Sequence, residues 1–128
     1  MGRSILIDTN VIIDLFYRRM PQSGGIYVAD IINSGNYCLS VINQIELLGY
    51  PSDTLQQQYL SEIINNARIL PLRAAVVTKA IELKRSTKIK TPDAIVAATA
   101  LVFELKLLTR NTKDFDRLQL SLINPHEL

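Results

Sequence analysis

Three β-favouring residues, Ile5-Leu6-Ile7, run directly into a carboxylate at Asp8. Thr9 and Asn10 then supply turn and capping chemistry, and an apolar helical pattern follows at Val11, Ile12, Leu15 and Phe16. An acid therefore stands where a buried strand becomes a helix. In an open α/β sheet with helices on both faces, the loops leaving the C-terminal ends of the strands open the crevice in which ligands bind. Asp8 is thus a candidate site residue, although an Asp after a strand serves equally well as a helix N-cap.

The rest of the chain repeats strand and helix signals in the alternation that implies parallel crossovers. Pro21-Gln22-Ser23-Gly24-Gly25 reads as a loop, residues 26–32 as a short helix ended by Ser34-Gly35-Asn36, and Tyr37 to Ser40 as a second strand. Ser40 caps a helix with Val41, Ile42, Ile45 and Leu48 on its apolar side, Gly49-Tyr50-Pro51 stops it, and Ser52-Asp53-Thr54 opens the next. Arg68-Ile69-Leu70 is a short strand, and a helix follows from about Arg73 to Thr87. Thr91 is the expected N-cap of a nearly all-apolar helix, with Pro92 at its first position and Asp93 in its first turn. Lys106 to Thr109 is a strand, 110–115 a polar loop and Leu120 to Ile123 an edge strand. The expected fold class is α/β, a three-layer α/β/α domain on a parallel sheet.

At 128 residues and 48% hydrophobic, the chain can fill the core of one domain spanning residues 1–128. The lone Cys38 lies in an apolar run, which points to buried filler in a reducing compartment. No stretch approaches the roughly 20 apolar residues of a membrane span, so a cytoplasmic location with no membrane partner is expected. Residues 79–117 hold nine basic and five acidic side chains, a net +4, whereas 1–78 carry −1. A basic second half suits a polyanionic partner.

Placed on this frame, Asp8 follows the first strand, Glu46 lies in the helix after the second, and Asp114 follows the fourth. All three leave one sheet edge; Asp93 joins them provided its helix starts there. Several carboxylates in one crevice raise each other's pKa unless a positive charge holds them, and a hard divalent cation is the simplest one. An all-oxygen donor set points to Mg²⁺, with Mn²⁺ able to substitute, rather than zinc or copper. Such ions act on phosphodiesters, which makes a nuclease the expected chemistry. Thr9, Asn10, Ser40, Asn43, Thr109 and Asn111 are the polar groups placed to orient carboxylates and waters. Arg110, Lys113, Lys88 and Lys90 flank the acidic segments and are candidates for contacts to nucleic-acid backbone phosphates. Asp14 reads as an exposed helix acid, Asp116 as a solvated neighbour, and His126 as part of the chain end.

Four segments together resemble the signatures of PIN-domain ribonucleases, particularly VapC-type toxins: Ile5-Leu6-Ile7-Asp8-Thr9-Asn10-Val11-Ile12; Ile45-Glu46-Leu47-Leu48-Gly49; Thr91-Pro92-Asp93-Ala94-Ile95-Val96-Ala97-Ala98-Thr99-Ala100; and Leu107-Leu108-Thr109-Arg110-Asn111-Thr112-Lys113-Asp114-Phe115. The resemblance implies a five-stranded parallel sheet and places Asp93 with Asp8, Glu46 and Asp114 around Mg²⁺ as catalytic and metal-binding residues. It also implies a homodimer and a cognate antitoxin protein. Asp8, Glu46 and Asp93 match the three core acids. Many members carry an acid where this chain has Asn111, so Asp114 is expected to supply the fourth charge. The implied activity is endoribonucleolytic, with activated water attacking phosphorus and the 3′-oxygen leaving. A catalytically silent RNA-binding or assembly module is the alternative. A haloacid-dehalogenase-like phosphatase is disfavoured because it needs an Asp where Asn10 stands. A phospho-receiver domain is disfavoured because its acceptor position falls at Pro71-Leu72.

Overall fold

The computed structural model describes residues 4–128. Strands β1 (Ile5–Ile7), β2 (Cys38–Ser40), β3 (Arg68–Leu70), β4 (Lys106–Leu108) and β5 (Leu122–Ile123) form one parallel sheet in the order β3-β2-β1-β4-β5. The helices are α1 (Thr9–Phe16), α2 (Gln22–Ser34), α3 (Val41–Gly49), α4 (Thr54–Asn66), α5 (Ala74–Ser86), α6 (Thr91–Val102) and α7 (Thr112–Phe115). Single 3₁₀ turns lie at Asp116–Leu118 and Pro125–Glu127.

The strand order carries the functional geometry. From β1 the chain steps outward through β2 to β3, then crosses back to place β4 and β5 on the other side of β1. Connections therefore diverge between β1 and β4, the switch point at which an open α/β sheet leaves a crevice beyond its strand ends. Asp8 directly follows β1 and Thr109 directly follows β4, at that point. Because β4 is parallel to β1 and α6 leads into it, α6 must start at the edge where strands end. This brings Asp93 to the same edge.

Side-chain alternation along the strands builds the three layers. Leu6 stands opposite Cys38 and Leu107, and with Leu70 these residues bury one face against Val76, Ala80 and Leu83 of α5 and Ala94, Ala97 and Ala98 of α6. Ile7, Leu39 and Leu108 turn to the other face and meet Val11 and Ile12 of α1, Val28 of α2, Leu47 of α3 and Leu60 and Ile63 of α4. The alanines of α6 let its backbone lie close to the sheet, which is why a helix of such weak amphipathicity sits in the interior.

Two helix starts are secured by reciprocal caps. Ser40 Oγ accepts from the Asn43 amide while Asn43 Oδ1 accepts from the Ser40 amide, and Asp53 and Gln56 do the same at α4. Elsewhere the structure departs from the sequence reading. Helix α6 begins at Thr91 itself, with Lys90 in the cap position and no side-chain cap bond, so Thr91 is not the N-cap. The expected polar loop at 110–115 contains α7, anchored by the buried ring of Phe115. The expected loop at Pro21–Gly25 is already the first turn of α2. Here the glycine has a packing reason: a Cβ at Gly24 would lie 1.7 Å from the Pro125 carbonyl oxygen. The bare helix turn thereby seats the C-terminal 3₁₀ turn, and Ser23 Oγ adds a hydrogen bond to the Leu128 carbonyl.

Gly24→Ala is expected to destabilise the protein by about 1–3 kcal/mol, because backbone rather than a flexible side chain must move. Gly49→Ala, at a position with nothing within 4 Å of the added methyl, serves as the neutral control. Urea denaturation of both variants checks the contrast.

Candidate active site at the sheet edge

Asp8 does two jobs at the end of β1. Its extended backbone makes it the N-cap of α1, and Oδ1 accepts from the Thr9 amide at 2.9 Å. Its other oxygen, Oδ2, accepts from Asn10 Nδ2 at 3.0 Å and from Thr109 Oγ1 at 2.9 Å. Thr109 is itself fixed by the Asn111 amide, which donates to its hydroxyl. The main chain of Asp8 is tied across the switch point by its N–H to the Leu108 carbonyl.

A second chain of bonds positions Glu46. Fully buried Asn43 donates through Nδ2 to Thr9 Oγ1 at 3.1 Å, and Thr9 Oγ1 donates to Glu46 Oε1 at 2.7 Å. The cap of α3 and the first turn of α1 thus hold one exposed carboxylate in place. Asp8, Glu46, Asp93 and Asn111 all line one cleft of about 440 Å³. A neighbouring trough of about 560 Å³ shares Asp93 and is lined by Lys88, Lys90, Lys113, Asp114 and Arg117. Asp114 therefore borders Asp93 from the basic side rather than entering the Asp8 cleft, and Asn111 occupies the corresponding place inside it.

Asp8 is only 6% exposed, and burial pushes its carboxyl up from the ordinary 3.8 to about 6. The bonds from Thr109 and Thr9 pull it down, while Asp93 and Glu46 push it further up. Asp93 is raised by burial first, then by Asp114 and Glu46, with Lys90 opposing. The acids are close enough to repel one another. Among the described residues no three Asp, Glu, His or Cys side chains are already gathered tightly enough to enclose an ion by themselves. The donor set is oxygen only and borders an open cleft. That fits a hard cation of the Mg²⁺ type, which takes one or two carboxylates and keeps several waters.

Two residues read differently from sequence form a cluster at the rim. Asp14 is not an exposed helix acid: it is 1% exposed, and both its oxygens accept from Arg110 Nη1, at 3.0 and 2.7 Å. Nor is His126 a bystander at the chain end, since its Nε2 lies 3.1 Å from Asp14 Oδ2. An acid inside the apolar run Val11-Ile12-Ile13-Asp14 was the available signal for burial. Asp116 is exposed, as read, and Lys88, Lys90 and Lys113 are exposed as well.

The raised carboxyl has a sign. Between about pH 4 and 6 the folded chain keeps a proton at Asp8 that the unfolded chain has lost, so stability falls as pH rises through that window. The gap corresponds to about 3 kcal/mol at most. In EDTA buffer, the urea midpoint of the protein is expected to drop more between pH 4.5 and pH 7 than that of Asp8→Asn. Parallel pH curves for the two proteins would contradict this account of Asp8.

Comparison with known proteins agrees with this architecture. Ribonuclease VapC1 of Methanocaldococcus jannaschii is 28% identical over 121 residues, covering 90% of this chain and 81% of the relative. Among solved structures, a toxin-antitoxin complex from Klebsiella pneumoniae superposes with a TM-score of 0.79 at 28% identity, over 98% of this chain and 100% of that one. FitAcB from Neisseria gonorrhoeae gives 0.76 at 27% identity, over 97% and 99%. The profile of the PIN domain matches residues 5–120. That match runs from the first strand to the approach to the last, and the chain belongs to the PIN domain family.

Proposed function

We propose that this protein is a metal-dependent endoribonuclease, the toxin of a VapBC-type toxin–antitoxin pair. The observation that carries the reading is the meeting of Asp8, Glu46 and Asp93 in one cleft at the switch point between β1 and β4. The ribonuclease name of the Methanocaldococcus relative supports the activity, and the Klebsiella complex supports the pairing with an antitoxin. Asp8, Glu46 and Asp93 would hold Mg²⁺ or Mn²⁺ through carboxylate oxygens, with Asp114 adding charge from the adjoining trough. A cation held there would supply Lewis-acid charge for deprotonation of the attacking water and for neutralising the phosphoryl oxygens.

The chain's own residues do the rest. Thr9, Asn10 and Thr109 fix the Asp8 carboxylate through its two oxygens, and Asn43 passes that order to Glu46 through Thr9, so the acids need little reorganisation when substrate arrives. Lys88, Lys90 and Lys113 line the trough beside Asp93 and give an RNA strand cationic partners next to the acids. Hydrolysis leaves 5′-phosphate and 3′-hydroxyl ends. A homodimer and a bound antitoxin each need apolar surface. The chain exposes Ile45, Leu48 and Leu55 on α3 and α4, and Leu72, Val77 and Ile81 along a separate groove beside α5.

Purified protein is expected to cut total bacterial RNA with Mg²⁺ or Mn²⁺ and not with EDTA. Glu46→Gln, an exposed change that leaves the core untouched, should slow cleavage on the order of 100-fold or more, as should Asp93→Asn. A protein that binds RNA without cutting it under any of these conditions is instead the silent module.

A further inference from the structure

The side chains of the rim cluster around Asp14 make no hydrogen bond to Asp8, Glu46 or Asp93, yet the cluster is more deeply set than a surface ion pair. Asp14 sits under Arg110, buried, and receives Nη1 on both oxygens while His126 reaches it from the C-terminal turn. The Arg110 main chain is fixed as well: its N–H donates to Asn10 Oδ1, and Asn10 Nδ2 donates to Asp8. Arg110 and Asp14 line the same cleft as Asp8, Glu46 and Asp93, and the Arg110 side chain remains 45% exposed. Among the described residues, no protein acceptor takes the hydrogens on its Nη2 and Nε. A buried ion pair is a weak source of net stability, because desolvation offsets the attraction. What this one does provide is orientation: a rigid donor fork held at the edge of the cleft with its remaining donors unspent.

We propose that Asp14 and His126 are positioning residues that aim the Arg110 guanidinium at a phosphate of single-stranded RNA lying in the acid-lined cleft. The inference rests on the nuclease reading and extends it to two residues outside the acid cluster. It separates cleanly from a general electrostatic effect, since the two predict opposite signs. Removing the Asp14 charge makes the cleft less negative, so charge alone strengthens RNA binding. Loss of aim at Arg110 weakens it.

The test is fluorescence anisotropy with a labelled 12-nucleotide single-stranded RNA in EDTA over a salt series, with thermal melts of each variant and a parallel cleavage assay in Mg²⁺. Arg110→Gln is expected to weaken binding about three- to tenfold and to make the log–log salt slope shallower by about 0.7, the loss of one phosphate contact. Asp14→Asn should weaken binding in the same direction despite the gain in net charge, and His126→Ala should do so more mildly. In cleavage the loss should fall on KM rather than kcat. Arg110→Lys keeps the charge and loses the fork, and should restore less than half of the lost affinity; this variant decides the matter if Asp14→Asn does not fold. Wild type that cuts RNA while a folded Asp14→Asn binds it as tightly or more tightly overturns the positioning role and leaves the nuclease standing, as does full binding by Arg110→Lys. Wild type that neither binds nor cuts RNA overturns both.

Discussion

A carboxylate buried among hydrogen-bond donors but without a countercharge is the constraint around which this molecule is arranged. Asp8 accepts from a backbone amide, a side-chain amide and a hydroxyl, drawn from α1 and from the end of β4. Each bond favours the ionised form, while burial and the neighbouring acids oppose it. The protein tolerates this tension because the same bonds hold its architecture. Asp8 caps α1, and Thr109 ties β4 to β1 at the centre of the sheet. Relieving the strain by neutralising Asp8 would keep the fold and discard the feature that makes the cleft unusual.

Polarity is divided around Asp93, which belongs to both depressions at the sheet edge. On one side stand Asp8, Glu46 and the amide of Asn111; on the other, Lys88, Lys90, Lys113 and Arg117 are interleaved with Asp114 and Asp116. Cations beside an acidic centre pull a polyanion toward a place that would otherwise repel it. The basic excess of the second half thus becomes, in space, a trough richer in cations beside a cleft in which the acids outnumber Arg19 and Arg110.

What the sequence made legible was local and periodic. The Ile-Leu-Ile run before Asp8, the Ser40 and Asp53 caps and the breaks at Gly35 and Pro51 each depend on neighbours within a few residues, and each is where it was expected. What stayed hidden depends on distant partners. Asp14 looks like any acid in a helix until Arg110 and His126 are brought to it from 96 and 112 residues away. Gly24 looks like a loop residue until Pro125 fills the space beside it. Asp114 follows β4 as expected, but the turn of α7 carries it to the far side of Asp93, a displacement no spacing rule encodes. The convergence of Asp93 with Asp8 and Glu46 was implied by the family resemblance but followed from the order of elements only as a condition on helix direction, which the parallel pairing of β4 with β1 satisfies.

That central pairing joins segments about a hundred residues apart: Ile5, Leu6 and Ile7 lie beside Lys106, Leu107 and Leu108. β1 and β2 come together early in the chain, whereas the far flank of β1 stays an open edge until β4 has been made. Closing so long a loop is entropically slow and comes after local structure. A growing chain therefore carries α1 to α6 and three of its five strands before Thr109 can reach Asp8. During synthesis the acid cleft cannot close until Thr109 and Asn111 have been made, with only α7, β5 and the C-terminal turns still to follow, so the strand order itself delays the cleft until nearly the whole chain exists.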